Sequence, residues 1–210
     1  MAILCSVASK PGKHAWRNAM YMLSWIDVNV NRGIRFNKNG NRDIISFTDA
    51  SEKALLLKGL AMAGYAIMWM DGPLITSSYR LKHVGLSSEH NEYMAITAIQ
   101  LLREICVDHQ LPIELYGDNV QANRLCSENI ITPGNQYIAQ YYHFNKEKVA
   151  EGLMIIIWVD TTLNIADIYT KPLTRAQCEA LMPDLLGYGE GITALREKIR
   201  LMNTTFKLPK

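Results

Sequence analysis

Four acidic residues, Asp49, Glu92, Asp118 and Asp167, stand where a strand ends or a helix begins, and grouped together they could bind hard cations. Carboxylates brought that close repel: two unit charges about 4 Å apart cost about 4 kcal/mol at an intermediate effective dielectric. A divalent cation relieves the repulsion. Oxygen donors with no Cys or His cluster beside them favour Mg²⁺, or Mn²⁺, over zinc. Singly, each acid has an ordinary explanation, as a turn cap for Asp49 or as a residue of a first helical turn for the other three. The chemistry therefore depends on whether the chain brings all four to one place.

The elements expected to position them are readable from periodicity. Along Ile44 to Asp49, strand alternation places Ile45, Phe47 and Asp49 on one face, so that a carboxylate lies in line with core residues. Ser88 caps a helix in which Glu92, Ala95, Ile99, Leu102 and Cys106 recur at spacings of three and four, which puts Glu92 on the buried stripe. Pro112 to Gly117 reads as a short strand delivering Asp118 to its C-terminal end beside Asn119, where ligands favour binding. The apolar run Leu153 to Val159 reads as a buried strand, and Asn164 to Lys171 as a short helix stopped near Pro172. Asp160, ending that strand, is a rival to Asp167 for the fourth position.

Around these lie a helix near 12 to 26 and an Asn-rich connection from 29 to 42. Two strands, 65 to 70 and 74 to 79, are joined by a turn at Asp71-Gly72-Pro73, and a further helix near 136 to 150 ends at Gly152. Strands first, then alternating helices and strands, predict an α/β fold. Its mixed sheet has three antiparallel strands and two parallel ones, with helices on both faces.

Several blocks together resemble the ribonuclease H domain of copia-type retrotransposon polyproteins. Phe47-Thr48-Asp49-Ala50 is similar to that family's opening block, and Gly64-Tyr65 to the start of its second strand. Leu86 to Ala95 is similar to its Leu-Ser-Ser block, with the catalytic Glu on Glu92 and the noncatalytic acid on Glu89. Asp118-Asn119 resembles its Asp-Asn pair, His143-Phe144 with Lys148-Val149 its His-Phe helix, and Ala166-Asp167-Ile168-Tyr169-Thr170-Lys171 its Ala-Asp-Ile-x-Thr-Lys block. Upstream, Ser9 to Phe36 resembles the tail of the copia-type reverse transcriptase, although the polymerase's paired-aspartate site has no counterpart here. Two stretches depart from the family: Lys58 to Ala63 is apolar for a surface loop, and Ile131 to Tyr137 lacks the usual Lys or Arg.

The resemblance implies a ribonuclease H-like fold and two-metal endonucleolytic hydrolysis of the RNA strand of RNA–DNA hybrids. Asp49, Glu92, Asp118 and Asp167 are then the catalytic and metal-holding residues, with Asp49 shared between two Mg²⁺ ions. It also implies a hybrid duplex as partner, and the reverse transcriptase or a larger ribonucleoprotein assembly as a second one. The alternative is a domesticated subunit that keeps the fold for a structural or nucleic-acid-binding role. No His lies between Asp160 and Ala166, where some ribonucleases H place a proton shuttle, and His143 reads as a packed helix residue.

The 210 residues, 49% of them hydrophobic, are enough for a real core. The expected division is a helical segment at 1 to 40, a ribonuclease H-like domain at 41 to 182 and a tail at 183 to 210, itself a helix with an irregular end. A net charge of only +2 excludes a generally basic nucleic-acid coat, so a duplex must be held locally. Arg80, Lys82, Asn119, Lys146 and Lys171 are the candidates, each of the basic ones being equally well an ordinary solvated side chain. Four cysteines without metal spacing suggest reduced thiols in an intracellular compartment, cytoplasmic or nuclear. No run approaches a membrane span, and residues 1 to 26, basic and without Asp or Glu, weakly permit organelle import.

Overall fold

The computed structural model describes residues 10, 12–51, 62–80, 111–120, 123 and 146–205. Glu92, Lys82, Glu89, His143, the helix expected around Glu92, and Cys5, Cys106 and Cys126 lie outside them. Five strands form one sheet in the order β3-β2-β1-β4-β5: β1 (Ile45–Ser51), β2 (Met62–Trp69), β3 (Gly72–Arg80), β4 (Ile113–Gly117) and β5 (Met154–Trp158). β1 with β2 and β2 with β3 are antiparallel, whereas β1 with β4 and β4 with β5 are parallel. This is the mixed, ribonuclease H-like sheet the sequence predicts.

The alternation expected in β1 sorts the sheet's two faces. Ile45 and Phe47 enter one hydrophobic cluster with Ala66, Met68, Tyr116 and Val159, while Ile44 packs with Tyr65, Ile67 and Ile113 in another. Phe47 and Tyr116 stack with ring centroids 5.0 Å apart, coupling β1 to β4 where both strands head for the acidic end. Met62 and Ala63, read from sequence as part of an oddly apolar loop, are buried residues of β2. Their apolarity is strand burial, not a departure in a surface segment.

Helices cover the Phe47 face. The first helix, α1 (Lys13–Val28), precedes the sheet, and α2 (Asp167–Thr170), α3 (Arg175–Leu186) and α4 (Ile192–Thr205) follow it. Leu185 of α3 and Ile192, Leu195 and Ile199 of α4 join the Phe47 cluster, the α4 residues at spacings of three and four. The stretch expected as a C-terminal tail thus supplies core side chains. α1 behaves the opposite way: none of its residues is buried, and Trp16 is 65% exposed. Met20 and Leu23 are exposed as well, so the apolar side chains of this helix do not pack on the sheet domain.

Two local readings also shift. The β2–β3 turn centres on Met70 and Asp71, with φ of 50° and 65°, one residue before the Asp71-Gly72-Pro73 expected. Two consecutive positive φ values suit the twist of a tight hairpin. Asp71 tolerates this because its carboxylate accepts from Asn37 Nδ2 at 2.9 Å and from the Ile192 N–H at 2.8 Å, tying the hairpin to the incoming chain and to α4. Pro73 falls in β3, an edge strand, beside a register shift, which is where a residue without an N–H is tolerated. β5 lies at the other edge, and its Ile155 is 44% exposed, so the apolar run from 153 is not a strand buried on both faces. Among the described residues no helix is long and apolar enough to cross a membrane.

Candidate active site

Three of the four expected carboxylates meet. β1 and β4 run parallel, with Thr48 opposite Gly117 as their last pair, so Asp49 and Asp118 emerge side by side at the same sheet end. Asp167 arrives from above as the first residue of α2. The approach requires Gly64, the partner of Asp49 on β2: a Cβ there would lie 2.5 Å from Tyr169 Cβ and 2.9 Å from Thr170 Cγ2. Buried Asn164 holds the preceding loop down, donating from Nδ2 to the Thr48 carbonyl at 3.0 Å and accepting from the Ala166 N–H at 3.2 Å. Ser78 of β3 donates to the Tyr169 carbonyl at 2.6 Å. With α2 pinned from both sides, one oxygen each of Asp49, Asp118 and Asp167 lies within 4.8 Å of the others.

A cation already sits among them. The Lys171 Nζ is 2.9 Å from Asp167 Oδ1, 3.3 Å from Asp49 Oδ1 and 3.5 Å from Asp118 Oδ2. Asp167 and Thr170 stand at i and i+3 on one side of α2, and Lys171, the residue that follows the helix, turns its side chain back to the same carboxylates. The Thr170 hydroxyl donates a short hydrogen bond to Asp49 Oδ2, and the Thr161 hydroxyl donates to Asp118 Oδ2 at 3.4 Å. Trp158 Nε1 and Asn123 Nδ2 hold the backbone beneath Asp118 through the Asp118 and Gly117 carbonyls.

The electrostatics follow from burial and crowding. Asp167 is pushed up to about 6, chiefly by burial and further by the charges of Asp49 and Asp118, against the hydrogen bond and charge of Lys171. Burial also raises Asp118, with Asp49 adding to it. For Lys171, burial works against the ammonium, but the Asp167 hydrogen bond and the three carboxylate charges outweigh it and hold the group above its usual value. Three ionised carboxylates and one ammonium leave two negative charges uncompensated, the charge of one divalent ion. Hard oxygen donors in that number fit Mg²⁺ or Mn²⁺.

Asp160 is not in the cluster: its carboxylate accepts from the N–H and hydroxyl of Thr162 at 2.9 and 2.6 Å, which lowers its pKa. Between the two rivals the geometry brings Asp167 to the centre. Asn119 is exposed next to Asp118, Lys146 lies in helical backbone described over 146–150, and Arg80 ends β3. Lys171, read as a residue for gripping nucleic acid, has its ammonium at the carboxylates. Thr170, Thr161 and Asn164 escaped the sequence reading. The i, i+3, i+4 spacing of Asp167, Thr170 and Lys171 was the signal for the first, whereas Thr161 opens a three-residue 3-10 turn that Asn164 caps, too short to show a periodicity.

No family profile matches the chain. It is 27% identical over 173 residues to a retrovirus-related Pol polyprotein from transposon RE2 of Arabidopsis thaliana, a match covering 79% of this chain and 12% of that protein. To the Pol polyprotein from transposon RE1 of the same plant it is 28% identical over 162 residues, covering 73% and 11%. The chain thus spans only a small part of the length of these curated relatives. Among solved structures, LC11-RNase H1, isolated from compost by a metagenomic approach, overlaps 61% of this chain and 93% of its own, with 17% identity and a TM-score of 0.48. The class defined by the strand order and directions is the ribonuclease H-like fold. The relatives are retrovirus-related Pol polyproteins from transposons, in agreement with the resemblance carried by the motif blocks.

Proposed function

We propose that this chain is a ribonuclease H of retrotransposon origin, an endonuclease that hydrolyses the RNA strand of RNA–DNA hybrids with two divalent ions. The observation that carries the reading is the meeting of Asp49, Asp118 and Asp167 at the C-terminal edge of two parallel strands, where open α/β sheets bind ligands. The Pol relatives and the motif blocks add support for the hybrid as substrate.

Asp49, Asp118 and Asp167 would hold the metal, with Glu92 the fourth carboxylate by the family resemblance. Bound ions of this kind supply a nucleophilic water and stabilise the leaving oxygen in an in-line attack on a phosphodiester. The protein's own part is positional. Thr170 fixes the Asp49 carboxylate through one oxygen, leaving the other directed at the cluster; Asn164 and Gly64 hold α2 so that Asp167 stays in range. With so small a net charge, the duplex is gripped by local groups, for which Arg80, Lys82, Asn119 and Lys146 remain our candidates.

The exposed apolar side chains of α1, Trp16, Tyr21 and Trp25 among them, favour a second reading in which the chain serves as a subunit of a larger assembly. One experiment separates the two. A labelled hybrid is incubated with Mg²⁺ and wild type, Asp49→Asn or Asp118→Asn; cleavage by wild type alone supports the nuclease, and equal cleavage by all three, or by none, refutes it.

A further inference from the structure

Lys171 is the feature of the centre that the proposed chemistry does not use. Its ammonium reaches all three carboxylates at once, at 2.9 to 3.5 Å, so it occupies the space toward which their oxygens converge. A divalent ion drawn to the same oxygens meets a positive charge already there. The two cannot share one place: an ion at the point where the carboxylate oxygens converge would overlap the ammonium, and repulsion between the two cations offsets part of what the carboxylates give each.

We propose that Lys171 is a built-in place-holder, a tethered cation that closes the carboxylate cluster in the metal-free protein and swings out when a divalent ion enters. This rests on the reading of the cluster as a metal centre. Three observations suit a side chain that moves rather than a permanent plug. Lys171 follows the last residue of α2 and has extended backbone, φ −123° and ψ 145°, so moving it does not unwind the helix. Its side chain is 29% exposed, which leaves a path to solvent, whereas the side chains of Asp49 and Asp167 are buried. A lysine is a compact point charge on a flexible stem and lacks the planar fork that would lock an arginine in place.

The consequence is an exchange. Metal affinity is set by the difference between what the ion and the ammonium each gain from the carboxylates, and the protein escapes an uncompensated negative cluster when no ion is bound. Lys171 would thereby act as a positioning residue, keeping three acids gathered for an ion that arrives later.

The test is Mn²⁺ binding followed by electron paramagnetic resonance at fixed pH, on wild type, Lys171→Met, Lys171→Gln and Lys171→Arg, with Asp49→Asn identifying the site. The neutral variants should bind Mn²⁺ at least about tenfold more tightly than wild type, a factor equivalent to about 1.4 kcal/mol. Lys171→Arg should stay as weak as wild type or weaker, and without metal the neutral variants should melt at lower temperature and regain stability on adding Mn²⁺. Using both Met and Gln guards against one of them failing to fold. Equal affinity in wild type and neutral variants would overturn the proposal, as would binding by the neutral variants with none by wild type, since the lysine would then be a fixed plug. Hybrid cleavage run beside it separates this from the functional reading: tighter binding without cleavage leaves the exchange standing and sinks the nuclease, while cleavage with unchanged affinity does the reverse.

Discussion

β1 and β4 carry an acid and a basic partner at each end, and the two ends differ in kind. Before β1 stands Asp43, and Glu114 of β4 pairs with Ile45; Arg196 of α4 spans both carboxylates, with Nε 2.6 Å from Glu114 Oε2 and Nη1 on Asp43. The Tyr116 hydroxyl adds the corner's third bond, donating to Glu114 Oε2 at 2.6 Å. At the far end Lys171 faces three carboxylates instead of two. The Arg196 end is closed: a guanidinium fork matches its acceptors by shape, and one cation faces two acids with a phenol assisting. The Lys171 end is left short of positive charge and held by a flexible stem. One end fastens α4 to the sheet, and the other holds a cation that a divalent ion can replace.

The largest expected contrast between the ends is in activity. Asp49→Asn should lower hybrid cleavage by more than the 10- to 100-fold typical of groups that only orient metal ligands, while leaving the fold intact by circular dichroism. Glu114→Gln should leave cleavage within a few-fold of wild type, measured well below its melting temperature. A loss of cleavage in Glu114→Gln as deep as in Asp49→Asn would erase the distinction.

Stability should show the reverse. Arg196→Met strands two carboxylates, and breaking a buried pair costs about 3–5 kcal/mol; with this corner partly open to water we expect about 2 kcal/mol, read from urea unfolding. An unchanged unfolding midpoint would mean that the corner contributes nothing to holding α4. Between the extremes lies Thr170→Val, which removes the donor to Asp49 without touching charge. It should cost about 1.5 kcal/mol, as loss of a hydrogen bond to a charged group does, and should weaken cleavage about tenfold, with Thr170→Ser restoring both.

The two ends were unequally legible in the sequence. The alternation of Ile45, Phe47 and Asp49 is a period-two pattern, and the face it implies is the face observed. Asp118 was legible because a short apolar strand runs directly into it, and Asp167 because its block combines a helix start with a Pro stop. The place of Lys171 at the carboxylates was not legible: a charged side chain at a helix end reads as solvent-facing until the acids it reaches are known in space. The Arg196 corner was missed altogether, since α4 was read as a tail even though Ile192, Leu195 and Ile199 recur at helical spacing. Its partners lie 82 and 153 residues away in the chain, a distance that no local pattern spans. The hairpin turn slipped by one because Gly72 attracted the reading, whereas positive φ falls on Met70 and Asp71 and Gly72 is needed for the close pass of the Arg35 carbonyl, 2.5 Å from where a Cβ would be.

The smallest expected effect sharpens the comparison through pH. Asp167, raised to about 6 in the folded protein, binds its proton more tightly there than in the unfolded chain, where a carboxylate keeps its ordinary value near 4. A raised folded-state pKa contributes stability that is fully present below the unfolded value and is lost as pH rises through the folded one. The metal-free protein should therefore lose stability from this group between about pH 4 and pH 6, by about 1 kcal/mol once solvent screening is allowed for. Asp167→Asn cannot titrate, so subtracting its unfolding free energies from those of wild type across the window isolates the term from the other carboxylates. Divalent metal binds the ionised form, so Mn²⁺ affinity should fall as pH drops through 6 in wild type. A difference curve that stayed flat between pH 4 and 6 would mean that Lys171 offsets the burial of Asp167 and its carboxylate neighbours. The distinction between a closed end and an end short of positive charge would then fail.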